Sequence, residues 1–394
     1  MSHRFHILRQ STTRMKAINY ILVFFLFLAS CSKDKESSNE FGSPSSEGSH
    51  KVSGGKTGMT AGEWNDLDSW SFWQNLMKEA SYSKFVKQWG FNTQYRISIL
   101  ALGSDSLPMV DYKVELLQNT SVFSIGKTDN HGRLDFFVHP SKLSGPLNLQ
   151  DFSLKMPFLN YTHSDLILFD SGLNILHLAA VSAKPKTIDL AFVVDATGSM
   201  GDEMEYVKTE LYDVINRVKI KNPLAILRTG AVFYKDEGDE YVSKFSQFNT
   251  DNSNTVNYIK AQSAGGGGDW PEAVHTALNS AINDLNWTDN AKTRLLFLVL
   301  DAPPHFNNNV LASLATTLDK AKEKGIKIIP IAASGIDQET EFLLRAFSMA
   351  SNGTYVFVTS DSGIGDEHLK PTVGYFEVEF LKDLMVRLIN EYAE

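Results

Sequence analysis

Residues 191–203 read AFVVDATGSMGDE. Four apolar residues run into Asp195, and hydroxyls then stand at every second position, Thr197 and Ser199, around Gly198. The apolar run starts at Ile188 and shows no in–out alternation, which is the pattern of a strand covered on both faces. Four more runs of strand length follow it, at residues 225–233, 295–300, 326–333 and 354–358. Segments with apolar residues mostly three and four apart separate them. Met200, Met204, Val207, Leu211, Val214, Ile215 and Val218 make up the first, and residues 271–285, 310–324, 339–350 and 376–392 behave alike. Strands alternating with amphipathic helices predict an α/β fold, a doubly wound and mostly parallel sheet, over residues 187–394.

In such a sheet ligands sit beyond the carboxyl ends of the strands. Asp195 closes the first strand and the helix begins at about Met200, so Asp195, Thr197 and Ser199 occupy the functional edge. Alternate positions of an extended loop point to one side, and three oxygen groups there suit a hard cation such as Mg2+. The same arrangement could cap the helix, with either hydroxyl accepting from free backbone N–H groups. Two later stretches carry further carboxylates. RLLFLVLDAPPH, residues 294–305, is a second buried strand ending in a carboxylate, Asp301; AGGGGDWPEAV, residues 264–274, is a glycine-rich loop carrying Asp269.

D-x-T-x-S resembles the metal-ion-dependent adhesion site of von Willebrand factor type A domains, usually written D-x-S-x-S, with Thr197 in place of the first serine. The resemblance covers about residues 187–392. It implies a divalent cation, Mg2+ or else Ca2+ or Mn2+, held by Asp195, Thr197, Ser199, Asp269 and Asp301. It also implies a protein partner that completes the coordination with an acidic side chain. The departure lies in the glycine loop, where Asp269 stands in place of the usual third hydroxyl, a threonine. That loop is similar to the G-G-G-D-x-P-E form of a bacterial subgroup, which also carries a stretch like VFYKDEGDEY, residues 232–241, adding acids near the sheet edge. An added carboxylate strengthens the hold on a cation and weakens the cation's demand for a partner's carboxylate. His305 reads as a loop residue, since imidazole has little place in a hard-oxygen site.

Upstream the text changes. Residues 95–99, 112–116 and 133–137 alternate polar and apolar, with a glycine turn at residues 127–132, which predicts a small β-sandwich over residues 94–186. V-x-L followed by T-D-x-x-G-R-x-x-F resembles carboxypeptidase regulatory-like and related immunoglobulin-like modules. His131, His139, His163 and His177 lack metal spacing there. Residues 61–93 hold four of the six tryptophans, Trp64, Trp70, Trp73 and Trp89, beside Leu67, Phe72, Leu76 and Met77. Their roughly helical spacing predicts a helical segment buried in a core or against a neighbouring domain. Residues 31–60 are rich in Ser, Gly, Lys and Glu, the composition of a flexible tether.

Residues 1–30 carry Arg4, Arg9, Arg14 and Lys16 and no acid, and end in the apolar run YILVFFLFLAS. The run is too short to span a bilayer and reads as a secretory signal, with Met15 as an alternative start. Leu28-Ala29-Ser30-Cys31 resembles the bacterial lipobox, in which the cysteine is lipidated and becomes the mature N-terminus. SKDKESS after it resembles the export signal of surface lipoproteins in Bacteroidetes-type bacteria. The expectation is a protein of the cell envelope, held to the outer membrane through lipid on Cys31. That single cysteine allows no disulfide within the chain.

The formal charge of −9 falls to −13 without the four N-terminal basic residues, a field that repels nucleic acid. Enzymatic alternatives fit poorly. D-A-T-G-S is close to the D-K-T-G-T of aspartyl-phosphate phosphotransferases, but Ala-Pro-Pro-His follows Asp301 where that chemistry needs an acidic pair. A nucleophile elbow fails because Thr197 stands where its first glycine belongs, and Gly265 to Gly268 lack the Lys-Ser/Thr ending of a phosphate loop. The expectation is a binding module without enzymatic activity; the remaining alternative is a metal-independent cell-surface scaffold.

Overall fold

The computed structural model describes residues 58–360 and 368–394. The secretory signal, Cys31 and nearly all of the tether lie outside the described residues. In chain order the elements are β1 (Thr60–Trp64), α1 (Trp70–Leu76), α2 (Ala80–Trp89), β2 (Tyr95–Leu102), β3 (Lys113–Gln118), β4 (Ser121–Lys127), β5 (Arg133–Val138), β6 (Phe152–Met156), β7 (Tyr161–His163) and β8 (Asn174–His177). There follow β9 (Thr187–Asp195), α3 (Gly201–Lys221), β10 (Ile226–Tyr234), β11 (Ser243–Asn249), α4 (Asn252–Lys260), α5 (Val274–Asn279), β12 (Thr293–Leu300) and α6 (Asn308–Lys324). The last are β13 (Ile326–Ala332), α7 (Gln338–Ala350), β14 (Tyr355–Val358), β15 (Glu379–Phe380) and α8 (Leu381–Glu391).

Five parallel strands, in the order β10-β9-β12-β13-β14, form the centre of an eight-stranded sheet. Antiparallel β11 flanks β10, and β1 pairs antiparallel with both β14 and β15. Strict alternation sends side chains to two cores. Ile188, Leu190, Phe192 and Val194 of β9 meet α3, α4 and α8; Ala191 and Val193 meet α5, α6 and α7. Every residue of β12 is buried, which is why its text reads as unbroken apolar.

Chain order reverses across β9: the chain leaves it for β10 on one side, and β12 lies on the other. The carboxyl ends of β9 and β12 therefore bound a topological switch point, the crevice where loops diverge and a ligand can enter.

Two helix boundaries differ from expectation. The segment expected as a helix over residues 271–285 begins three residues late, at Val274, because Glu272 is in extended backbone, bridged to Pro304, with its amide donating to the Pro303 carbonyl at 2.9 Å. It then loosens into a π turn over Ser280–Asp284. The last helix begins at Leu381 and not at Phe376, since Glu379 and Phe380 pair with β1.

The tryptophan-rich segment contributes a strand as well as helices. Trp73 stacks on Phe342 of α7 with ring centroids 6.0 Å apart, and its indole N–H donates to Thr93 Oγ1 at 2.7 Å. Between β1 and α1, Asp66 receives both Nε (2.8 Å) and Nη2 (2.6 Å) of Arg345, and neither side chain is exposed. Residues 95–177 form two sheets, β5-β2-β8 and β4-β3-β6-β7, closed over one core of Ile97, Ile99, Val114, Leu116, Phe136 and Leu154 among others. Asp111 ties this sandwich to the main sheet by accepting from Arg294 at 2.7 and 2.9 Å.

Candidate metal centre

Asp195 is fully buried at the end of β9, opposite Tyr234 of β10. Val194 pairs with Val299 across the β9–β12 ladder, so Asp301 stands just past the end of the neighbouring strand, about 4.8 Å away in the pairing direction. The Asp301 charge acts on Asp195 at this range. Burial first, and that charge second, push the Asp195 carboxyl up to about 7, against the pull of its hydrogen bonds from Thr197.

Thr197 turns back on Asp195. Its amide donates to Oδ1 at 2.9 Å and its hydroxyl to the same oxygen at 2.7 Å. Oδ2 is buried without a hydrogen-bond partner; the Tyr234 hydroxyl lies beside it but outside bonding geometry. Ser199 Oγ lies 3.4 Å from Thr197 Oγ1 and is open to solvent. Neither the 3₁₀ turn Gly198–Met200 nor α3 has a side-chain cap, so the hydroxyls of Thr197 and Ser199 are not spent on the helix start. The capping alternative is thereby set aside.

The glycine loop is laced to this turn. Gly265 N–H donates to Ala196 O at 3.0 Å, and Gly198 N–H to Gly266 O at 3.1 Å. Gly267 N–H donates to Asp239 Oδ2 at 2.9 Å. Gly266 needs its glycine: φ is +85°, and a Cβ there would come within 2.5 Å of Asp239 Oδ1.

Thr197, Ser199, Gly266 to Gly268, Asp269, Trp270, Glu272 and Asp301 line a pocket of about 420 Å3. Asp195 lies buried beneath it. Asp269 lines this pocket from an exposed position, whereas the carboxylate that the loop buries is Glu272, 4% exposed. Burial first, then the charges of Asp195, Asp236, Asp301 and Asp239, push Glu272 up to about 9. Asp236, also buried, pairs with His305 Nε2 at 2.6 Å, so His305 serves a carboxylate of the rim. Glu272 and Asp236 went unselected in the sequence, although both lie in stretches that the glycine loop and residues 232–241 had marked.

A divalent cation suits the donors: two hydroxyls and two strand-end carboxylates, one of which, Asp195, buries an oxygen with nothing to accept from. Among the described residues no three His, Cys, Asp or Glu side chains form a group able to hold a metal ion, so the hydroxyls of Thr197 and Ser199 are needed to complete any donor set.

The von Willebrand factor type A domain model matches residues 189–367. Of curated proteins, the ariadne-like RING finger protein R811 of Acanthamoeba polyphaga mimivirus is 30% identical over 132 residues, 34% of this chain and 13% of that protein. The alpha-protein kinase vwkA of Dictyostelium discoideum is 26% identical over 171 residues, 43% of this chain and 27% of that protein. The chain thus spans less than a third of the length of these relatives. Of solved structures, the conserved hypothetical protein BatB from Bacteroides thetaiotaomicron aligns at 13% identity with a TM-score of 0.37, covering 52% of this chain and 98% of that one. Residues 189–367 are a von Willebrand factor type A domain, and the sheet that completes it takes in β1 and β15 from outside the matched range.

Proposed function

We propose that this chain is an exported, lipid-anchored binding protein whose von Willebrand factor type A domain captures a protein partner at a divalent cation. Domains of this family mediate protein–protein interactions and commonly bind a divalent metal at the adhesion site. Thr197 and Ser199 would hold the ion through their hydroxyls, and Asp195 and Asp301 would supply the charge directly or through water. Asp269 would add charge from the rim. Mg2+ is the first choice on donor chemistry, with Ca2+ and Mn2+ as alternatives. The partner would place an oxygen donor, an acidic side chain on the family resemblance, at an open coordination position. Trp270, 45% exposed, would give it an apolar footing at the pocket. Lipid on Cys31 would hold the domain at the outer membrane, and we read no enzymatic step in the site.

The observation that carries this reading is the buried, unpartnered Oδ2 of Asp195 beneath a pocket lined by Thr197, Ser199 and Asp301. A buried carboxylate oxygen without a donor costs stability unless a cation meets it. Calorimetric titration with Mg2+, Mn2+ and Ca2+ tests it: saturable binding that Asp195→Ala abolishes is expected, and no heat with any of the three ions would end the reading. Pull-downs from envelope extracts, with Mg2+ and then with chelator, test the partner. A metal-independent scaffold keeps one observation in its favour, the lack of a three-carboxylate or histidine cluster among the described residues; it predicts partner capture indifferent to chelator.

A further inference from the structure

Glu272 is a buried acid with no evident structural employment. Its amide is used, bonded to the Pro303 carbonyl at 2.9 Å, but Oε2 has no hydrogen-bond partner, and the side chain lines the pocket beside Thr197, Ser199 and Asp301. The loop conforms to it: at Gly267, φ +74°, a Cβ would stand 3.0 Å from Glu272 Oε1 and 3.3 Å from Thr197 Cβ. Burying a carboxylate without a partner is costly, and a fold that keeps one beside two further carboxylates keeps it against their repulsion. The charges that act on it most are carboxylates, those of Asp195, Asp236, Asp301 and Asp239, and His305 is engaged by Asp236.

We propose that Glu272 is the specificity-determining residue of the cation site: a carboxylate of this chain that supplies the charge which would otherwise come from a partner's acidic side chain. This rests on the cation reading above. Asp195 and Asp301 together neutralise a divalent ion, and Glu272, whose proton a cation bound in the same pocket displaces, brings the loaded site to a net negative charge, with the charges of Asp236 and Asp239 nearby. A partner carboxylate, the donor that the family resemblance implies, then meets repulsion in this chain, and the open position is left instead to a neutral oxygen, such as a backbone carbonyl or side-chain amide. Glu272 does this through charge over the pocket and need not join Asp195 and Asp301 as a ligand.

The full chain is titrated calorimetrically with Mn2+, with and without acetate as a model carboxylate, in the wild type, Glu272→Gln and Glu272→Asp. Glu272→Gln keeps shape and hydrogen-bonding capacity, and Glu272→Asp keeps the charge. The wild type is expected to bind Mn2+ with an affinity indifferent to acetate. Glu272→Gln should bind Mn2+ about tenfold more weakly and regain part of the loss when acetate is added, whereas Glu272→Asp should follow the wild type. Acetate tightening Mn2+ binding in the wild type, or equal Mn2+ affinity in the wild type and Glu272→Gln, overturns the inference and leaves the cation reading standing. A wild type that binds no Mn2+ overturns both.

Discussion

The Thr197 hydroxyl donates to Oδ1 of Asp195 at 2.7 Å, and the Thr197 amide donates to that same oxygen at 2.9 Å, while Oδ2 accepts from nothing. The turn thus pins one oxygen of a buried carboxylate and leaves the other for a ligand. Replacing Thr197 by valine keeps the volume and removes one of two donors. The metal-free protein should lose about 1–2 kcal/mol in urea unfolding and Mn2+ affinity should fall with it. Thr197→Ser should restore the affinity, because the site needs the hydroxyl and not the methyl.

The same burial gives the metal-free protein a pH dependence of known sign. Asp195 and Glu272 titrate in the fold near 7 and 9, above their ordinary values of 3.8 and 4.5. Between the ordinary and the folded values the native state holds more protons than the unfolded chain, so stability falls as pH rises. In chelator, urea midpoints should decline from about pH 4 to pH 7 through Asp195 and on towards pH 9 through Glu272. A saturating divalent cation should flatten that decline and release protons on binding, visible as a buffer-dependent calorimetric heat. A flat profile in chelator would contradict the burial of both carboxylates.

Asp66 and Arg345 form the other buried relationship with a large expected effect. Both side chains are wholly inaccessible and doubly hydrogen-bonded, so removing Asp66 breaks the two short bonds and leaves the buried guanidinium to Glu341, 3.7 Å away, and the Thr372 carbonyl. Asp66→Ala should cost about 3–5 kcal/mol in thermal or urea unfolding. The double change Lys320→Ala with Glu323→Ala, which removes an exposed pair, should move stability by less than about 1 kcal/mol. A chain beginning at Thr187 lacks Asp66, β1 and the Trp73 and Phe85 rings that cover Phe342 and should be insoluble or unfolded, even though it holds the whole matched family region.

Much of this architecture is readable before any coordinates, for a physical reason. Strands such as residues 293–300 are buried on both faces, so their apolar runs are unmistakable. The Asp195 turn is legible because its donors are local. What stays hidden depends on distant partners. Thr60–Trp64 reads TAGEW, with no strand pattern of its own; it is a strand because Ala61 and Gly62 pair with Val358 and Phe357. Likewise the glycine loop offers Asp269 and Glu272 three positions apart, and nothing in their spacing says which one turns inward. The bridge of Glu272 to Pro304 decides that, and it joins two segments remote in sequence.

Gly266 offers the sharpest separation of fold from site. Its φ of +85° disfavours any L side chain, and the added methyl of Gly266→Ala would meet Asp239 Oδ1 at 2.5 Å. Asp239 holds the loop through Gly267 N–H, and the Gly266 carbonyl accepts from Gly198 in the Asp195 turn. Relief of the clash must therefore shift either the acid or the loop that borders the hydroxyls. The loop lies at the rim, away from both cores, so the melting temperature should drop only slightly while Mn2+ affinity falls at least about tenfold. Gly268→Ala serves as the control, since a Cβ at Gly268 meets nothing within 4 Å and its φ is not in the left-handed region. That variant should bind Mn2+ like the wild type, and equal losses in both would mean that the loop acts through general flexibility and not through its grip on the Asp195 turn.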